Sequence, residues 1–331
     1  MKNWQETEAI MQRTRTVLAE GQAVALAIVT KIQGSTYRRP GAKLLIESDG
    51  AMLGNISGGC LEEDVRENGL AVIEADAPRH IHYDTSDLED TVWGLGLGCN
   101  GKIDLQMVPL APQRDLDWVE AACESLHGDQ ALVVRLDEAG RCRLLPRSES
   151  AEPWSGFEEV LEPPPTLLVL GAGDDARPLV QMAHQVGFRV IVADHRSGYL
   201  TERRFPLARQ RVQVRADDDS NGLVLNERVL AVVKTHTLQH DLAWVKKLAD
   251  TPVPYIGLLG PRDRRDEILN QVDPAAQSRL YGPIGLDIGG EGPELVALSI
   301  VSEALAVWHH RGGSHLRDRP GTIHERIGGN E

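Results

Sequence analysis

Positive charge is in short supply in this chain. Its 35 lysines and arginines face 49 aspartates and glutamates, a formal net charge of −14. A general binder of nucleic acid or of an anionic membrane needs a net positive face, so both classes are excluded. Local basic clusters remain able to hold a small anion. Long apolar runs are missing too: none approaches the ~20 residues that span a bilayer. Cysteine is sparse, at positions 60, 99, 123 and 142. Neither CxxC spacing nor a dense framework is present, so free thiols in a reducing cytoplasm are expected. The opening stretch, MKNWQETEAIMQRTRTVLAEGQ, mixes charges with apolar residues at helical spacing and fits neither a signal nor a transit peptide. There is no internal repeat.

What is present reads as a two-domain α/β protein. A chain of 331 residues suggests two domains, and 41% hydrophobic content supplies cores of useful size. Trp4, Ile10, Met11 and Leu18 fit an opening amphipathic helix closed at Gly21. AVALAIVT (23–30) reads as a buried strand, and AKLLIESDGAMLGNI (42–56) as two strands turning at Asp49-Gly50. A helix over about 61–75 follows, then strands at HIHYDTS (80–86) and KIDLQMVPL (102–110). ALVVRLDEAGRCRLLP (131–146) reads as a peripheral hairpin. Residues 151–165 turn to Ser, Glu and Pro, ending in EPPP, and are expected to be a linker. This divides the chain into a first domain, 1–150, and a second, 166–310, with a loosely held tail at 311–331.

The second domain alternates strand and helix, the mark of a parallel sheet. Its most specific segment is TLLVLGAGDDARPLVQMAHQVGFRVIVADHR (166–196). An apolar strand runs into Gly171-Ala172-Gly173, a helix follows with Ala176 in the third glycine position, and a second strand ends at Asp194. That is a G-x-G-x-x-G/A fingerprint in its strand–turn–helix context, with an acid where a ribose would be bound. The turn suits a pyrophosphate at a helix N-terminus, but Asp174 and Asp175 stand where phosphates would lie and repel them. VLAVVKTHTLQHD (229–241) delivers His236 at a strand end, with His240 and Asp241 on the next helix. Two histidines without a third placed ligand fit capping or substrate contact better than a metal site. YIGLLGPRDRRDEI (255–268) puts Arg262, Arg264 and Arg265 at a helix start. They read either as an anion site or as solvated arginines paired to Asp263 and Asp266.

The first domain carries three glycine-rich turns: GSTYRRPGAKLLI (34–46) with Arg38, Arg39 and Lys43, GNISGGC (54–60), and GLGLGCNGK (94–102). Glycine at this density serves close approach of backbone to a ligand or to another strand. Two of the turns hold a thiol, Cys60 and Cys99; Cys123 and Cys142 read as packing or surface residues. Cys60 follows Gly58-Gly59 at a helix start, where unpaired N–H groups favour thiolate, while Glu62, Glu63 and Asp64 oppose it. Cys60 is therefore either a tuned reactive thiol or a small packed residue at a turn.

GSTYRRPGAKLLI, GNISGGCLEEDV and GLGCNGKI resemble the N-terminal domain of the XdhC/CoxI proteins. GAGDDARPL, KTH, PYIGLLGPRDRR and PIGLDIGGEGPELVALSIVSEALA resemble that family's C-terminal Rossmann-like domain. The resemblance implies an accessory factor, not itself an enzyme with independent turnover. It would bind molybdenum cofactor (molybdopterin or its cytosine dinucleotide form), assist its sulfuration with a cysteine desulfurase, and deliver it to an apo molybdenum hydroxylase such as xanthine dehydrogenase. Arg38, Arg39 and Lys43, or the 262–265 arginines, would hold the phosphate. Cys60 or Cys99 would ligate molybdenum or carry sulfur. The family commonly has GAGHVA where this chain has Gly171-Ala-Gly-Asp-Asp-Ala176, and CGG where it has Cys99-Asn100-Gly101. An NAD(P)-dependent oxidoreductase built on Gly171, Gly173, Ala176 and Asp194 is the alternative, and a scaffold docking a protein partner is a third. A homodimer is the default assembly.

Overall fold

The computed structural model describes residues 2–34, 37–84, 101–137, 139–218 and 222–319. Cys99, most of the third glycine-rich turn, and the end of the expected tail lie outside these residues. Two compact units divide the chain, Met1–Pro163 and Pro164–Glu331.

The first unit opens with helix α1 (Lys2–Ala19), strands β1 (Val24–Gly34), β2 (Lys43–Glu47) and β3 (Met52–Gly54), and helix α2 (Glu62–Ala75). Strands β4 (Arg79–Asp84) and β5 (Gly101–Leu110) and helix α3 (Pro112–His127) follow. The five strands form one antiparallel sheet in the order β3-β2-β1-β5-β4. A strand shows alternate residues to opposite faces, so a continuous apolar run implies burial on both. In β1, Val24, Leu26 and Ile28 join the core with Ile10 and Val17 of α1 and Val119 of α3. Ala25, Ala27 and Val29 face the opposite way, against Val65 and Val72 of α2.

A three-stranded antiparallel sheet, β7-β6-β8, completes this unit: β6 (Leu132–Leu136), β7 (Cys142–Pro146) and β8 (Phe157–Leu161). Two expectations change here. The hairpin is not peripheral, because every residue of β6 is buried. And the stretch read as linker contains β8, paired along the length of β6. Composition misled because the acids of FEEVL look solvated, whereas both meet cations. Glu158 stands opposite Arg135 on β6 and accepts from its Nε at 2.7 Å. Glu159 accepts from Lys43 Nζ at 2.6 Å.

The second unit is the expected parallel α/β sheet. Its elements are β9 (Thr166–Leu170), α4 (Ala176–Gln185), β10 (Arg189–Asp194), β11 (Gln210–Gln213), β12 (Val229–Val233) and α5 (Leu238–Ala249). They continue with β13 (Tyr255–Leu258), α6 (Arg262–Leu269), α7 (Pro274–Gln277), β14 (Leu280–Tyr281) and α8 (Pro293–Trp308). Strand order is β11-β10-β9-β12-β13-β14, with every pairing parallel. The order reverses direction at β9, so crevices for ligands lie beyond the carboxyl ends of β9, β10 and β12. No described helix is long and apolar enough to cross a membrane.

Candidate functional site

In the first unit the GNISGGC turn closes around an acid of its own. Glu62, the first residue of α2, turns its carboxylate back into the turn. Oε1 accepts from the amides of Ile56 (3.3 Å), Ser57 (2.9 Å) and Gly58 (3.2 Å). Oε2 accepts from the amides of Gly59 (2.9 Å) and Leu61 (3.2 Å) and from the Ser57 hydroxyl. Successive N–H groups pointing inward form a concavity for an anion, and here the anion is built in. Burial by itself would raise the Glu62 carboxyl; the Ser57 hydroxyl and the turn amides outweigh it and leave the group below the usual carboxylate range.

The turn can wrap this way because Gly58 and Gly59 sit at φ 94° and 118°, a region L side chains rarely enter. A Cβ on Gly59 would meet nothing within 4 Å, so this glycine serves conformation and not close packing. Cys60, half-buried and unbridged, is the next residue. The three acids after it each have a partner of their own. Glu62 faces the turn, Glu63 pairs with Arg66, and Asp64 accepts from the Tyr83 hydroxyl. Cys123 and Cys142 are buried, and burial pushes the Cys142 thiol up to about 12.

The basic residues expected to hold an anion are not gathered. Lys43 is 1% exposed and spent on Glu159 and the Gly41 carbonyl. Arg38 pairs with Glu6 of α1, leaving Arg39 exposed. In the second unit Arg264 donates to the fully buried Asp241 at 3.1 Å. Arg265 donates to Asp266 and to the Gly282 carbonyl, and Arg262 alone of the three is exposed.

The fingerprint turn is also self-satisfied. Gly171 is at φ 121°, and a Cβ there would collide with the Lys234 carbonyl, so the close approach this glycine allows is to the end of β12. Asp194 accepts four internal hydrogen bonds: from Ala172 N (2.8 Å), Arg196 N (2.8 Å), Arg196 Nε (2.9 Å) and Arg196 Nη2 (2.8 Å). Burial would raise its carboxyl, but the Arg196 fork and the two amides bring it down to about 2. Asp174 pairs with Arg204 at 2.9 Å. Asp175 takes Lys234 Nζ at 2.7 Å and His236 Nε2 at 3.1 Å. His236 is held at φ 62°, a conformation uncommon outside glycine and frequent at functional positions.

Beyond β10, β11 and β12 lies a cavity of about 230 Å³ bordered by Asp194, Arg196, Arg215, Asp217, His240 and Trp244. Among the described residues no group of three or more His, Cys, Asp or Glu is arranged to hold a metal ion.

Sequence reasoning passed over Glu62, Lys234 and Arg196, which organise these turns, and Arg215, which borders the cavity. Lys234 had a readable signal, since it closes the apolar run VLAVV, where a lysine needs a buried partner. Glu62 had a weaker one, an acid at the first helical position after a glycine pair. Nothing local marks the arginines.

Residues 17–84 match the XdhC and CoxI family, and residues 167–304 match the XdhC Rossmann domain. A Bacillus subtilis protein described as a probable xanthine dehydrogenase subunit is 32% identical over 87% of this chain and 94% of its own. The Escherichia coli "Molybdenum cofactor insertion chaperone PaoD" is 22% identical over 89% of this chain and 86% of its own. A crystal structure described as a xanthine dehydrogenase from Bacillus halodurans superposes with a TM-score of 0.77 at 27% identity. It covers 94% of this chain and 98% of that one.

Proposed function

The chain belongs to the XdhC and CoxI family, and on that basis we propose that it is an accessory factor for the maturation of a molybdenum enzyme. It carries molybdenum cofactor as cargo and hands it to an apo hydroxylase. The observation that carries this reading is the continuous likeness, through both units, to a chain named for cofactor insertion, over 89% of this protein. Sulfuration of the cargo with a cysteine desulfurase belongs to the same proposal.

The residues fit the role in part. A pterin phosphate needs cationic or amide donors; Arg39 in the first unit, or alternatively Arg262 in the second, is exposed for it. Lys43, Arg264 and Arg265 serve the protein's own acceptors and are not assigned to the cargo. Cys60, half-buried on a turn fixed by Glu62, is the described thiol assigned to touch the cargo; a thiolate is the form that binds metal.

The test is anaerobic loading with molybdenum cofactor, followed by molybdenum and pterin analysis of wild type, Cys60→Ala and Cys99→Ala. Near-stoichiometric loading is expected, with a drop of about tenfold or more in Cys60→Ala. No loading of the wild type would sink the proposal. A second reading, an NAD(P)-dependent oxidoreductase, draws on the turn at Gly171 and Gly173. Against it stand Asp174 and Asp175, whose carboxylates border the place a pyrophosphate would occupy.

A further inference from the structure

The cavity beyond β10, β11 and β12 has a position and a set of donors that bear on nucleotide binding, independent of any role in carrying molybdenum cofactor. It sits where a doubly wound sheet receives a nucleoside, past the carboxyl ends of the strands next to the reversal at β9. At about 230 Å³ it lies below the ~300–1,000 Å³ of pockets for drug-sized ligands, so it suits one nucleoside and not a dinucleotide. Trp244, 5% exposed, and Val214, 3% exposed, give it apolar walls. His195 and His240 meet edge to face at 5.0 Å beside it.

The polar groups decide what kind of nucleoside. An acid at the end of the second strand ordinarily accepts from the ribose hydroxyls. Asp194 has no acceptor site to offer, because a carboxylate has about four and all are taken by Ala172 and Arg196. What faces the cavity in its place are donors. Arg196 uses Nε and Nη2 on Asp194, which leaves Nη1. The Arg215 guanidinium has no hydrogen-bond or ion-pair partner among the described residues. Asp217 on the same rim supplies an acceptor for a base amine or a hydroxyl. An arginine beside the acid is the arrangement that accommodates a phosphate on the ribose.

We propose that this cavity binds a nucleotide whose ribose carries its own phosphate, held by Arg196 and Arg215, and that it takes the mononucleotide half alone. A pyrophosphate extension would run onto Asp174 and Asp175 at the glycine turn.

Calorimetric titration of the full chain tests this with 2′,5′-ADP, 5′-ADP, CDP, adenosine, NADPH and inorganic phosphate. The expected order puts 2′,5′-ADP at least tenfold tighter than 5′-ADP, CDP, adenosine or phosphate, with NADPH no tighter than 2′,5′-ADP. Arg215→Ala, which breaks no hydrogen bond or ion pair of its side chain among the described residues, is expected to weaken 2′,5′-ADP about tenfold and leave adenosine unchanged. Arg196→Ala frees the Asp194 carboxylate to accept ribose hydroxyls, so the preference is expected to move toward 5′-ADP. Equal binding of 2′,5′-ADP and 5′-ADP, tighter binding of NADPH, or no nucleotide binding would each overturn the proposal. CDP in first place would overturn it too, assigning the cavity instead to a cytidine arm with a free ribose.

Discussion

At the scale of single residues, the chain neutralises its own sites. Glu62 is the clearest case: five amides and a hydroxyl converge on one carboxylate, and the Cys60 turn takes its shape from them. Glu62→Gln replaces an acceptor-only group by one with two donors that would point at N–H groups. It is expected to lose about 1–3 kcal/mol of stability at neutral pH, the usual range for a buried hydrogen-bonding group left unmatched. The pH dependence has a definite sign. A carboxyl whose pKa is depressed by folding stabilises the native state above its unfolded value, and that contribution is lost as pH falls through the folded value. Urea titrations of wild type and Glu62→Gln should therefore differ at pH 7 and converge in acid. A constant gap down to pH 3 would show that the charge of Glu62 is not what organises the turn. The Cys60 alkylation rate, read in the same samples, should rise as the turn loosens.

At the scale of elements, paired charges decide where strands attach. Strand β8 reaches the rest of its unit through Glu159 and Lys43, whose side chains are 10% and 1% exposed. Removing one partner of such a pair strands a buried charge, whereas replacing both by apolar groups is often neutral. Lys43→Met is thus expected to cost about 3–5 kcal/mol, and Lys43→Met with Glu159→Leu to recover most of it. A double-mutant cycle by chemical denaturation measures this. If the double variant is as unstable as the single one, the pair contributes specific geometry that apolar packing does not replace. The same logic holds at the end of β12, where the Lys234 side chain, 2% exposed, meets Asp175 in front of α4.

At the scale of the whole molecule, each unit buries its own core. Clusters around β1 close the first, and one built on β9, β12, β13 and α5 closes the second. Residues 164–331 expressed alone are accordingly expected to fold, giving a dispersed amide NMR spectrum and a single cooperative thermal transition. A collapsed spectrum would mean that the second unit depends on the first. Much of this architecture was legible beforehand. AVALAIVT read as a buried strand, Asp49-Gly50 as a hairpin turn, and the segment 166–196 as strand, glycine turn, helix, strand. Strand β8 was not legible, because Phe157-Glu-Glu-Val-Leu161 has the composition of a solvated connector until the distant cations are known.

By itself, then, the sequence determined most of the strands and helices, β8 excepted among others, and where the glycine turns fall. Apolar periodicity and turn chemistry are properties of neighbouring residues, and they survive in one dimension. Only the tertiary structure decided which charges are spent and which remain for a ligand. Lys43 and Glu159 are 116 residues apart, and Lys234 and Asp175 are 59 apart. Whether a lysine is a phosphate contact or a buried counter-ion depends on what folding sets within ~3 Å of it, and no local pattern carries that distance.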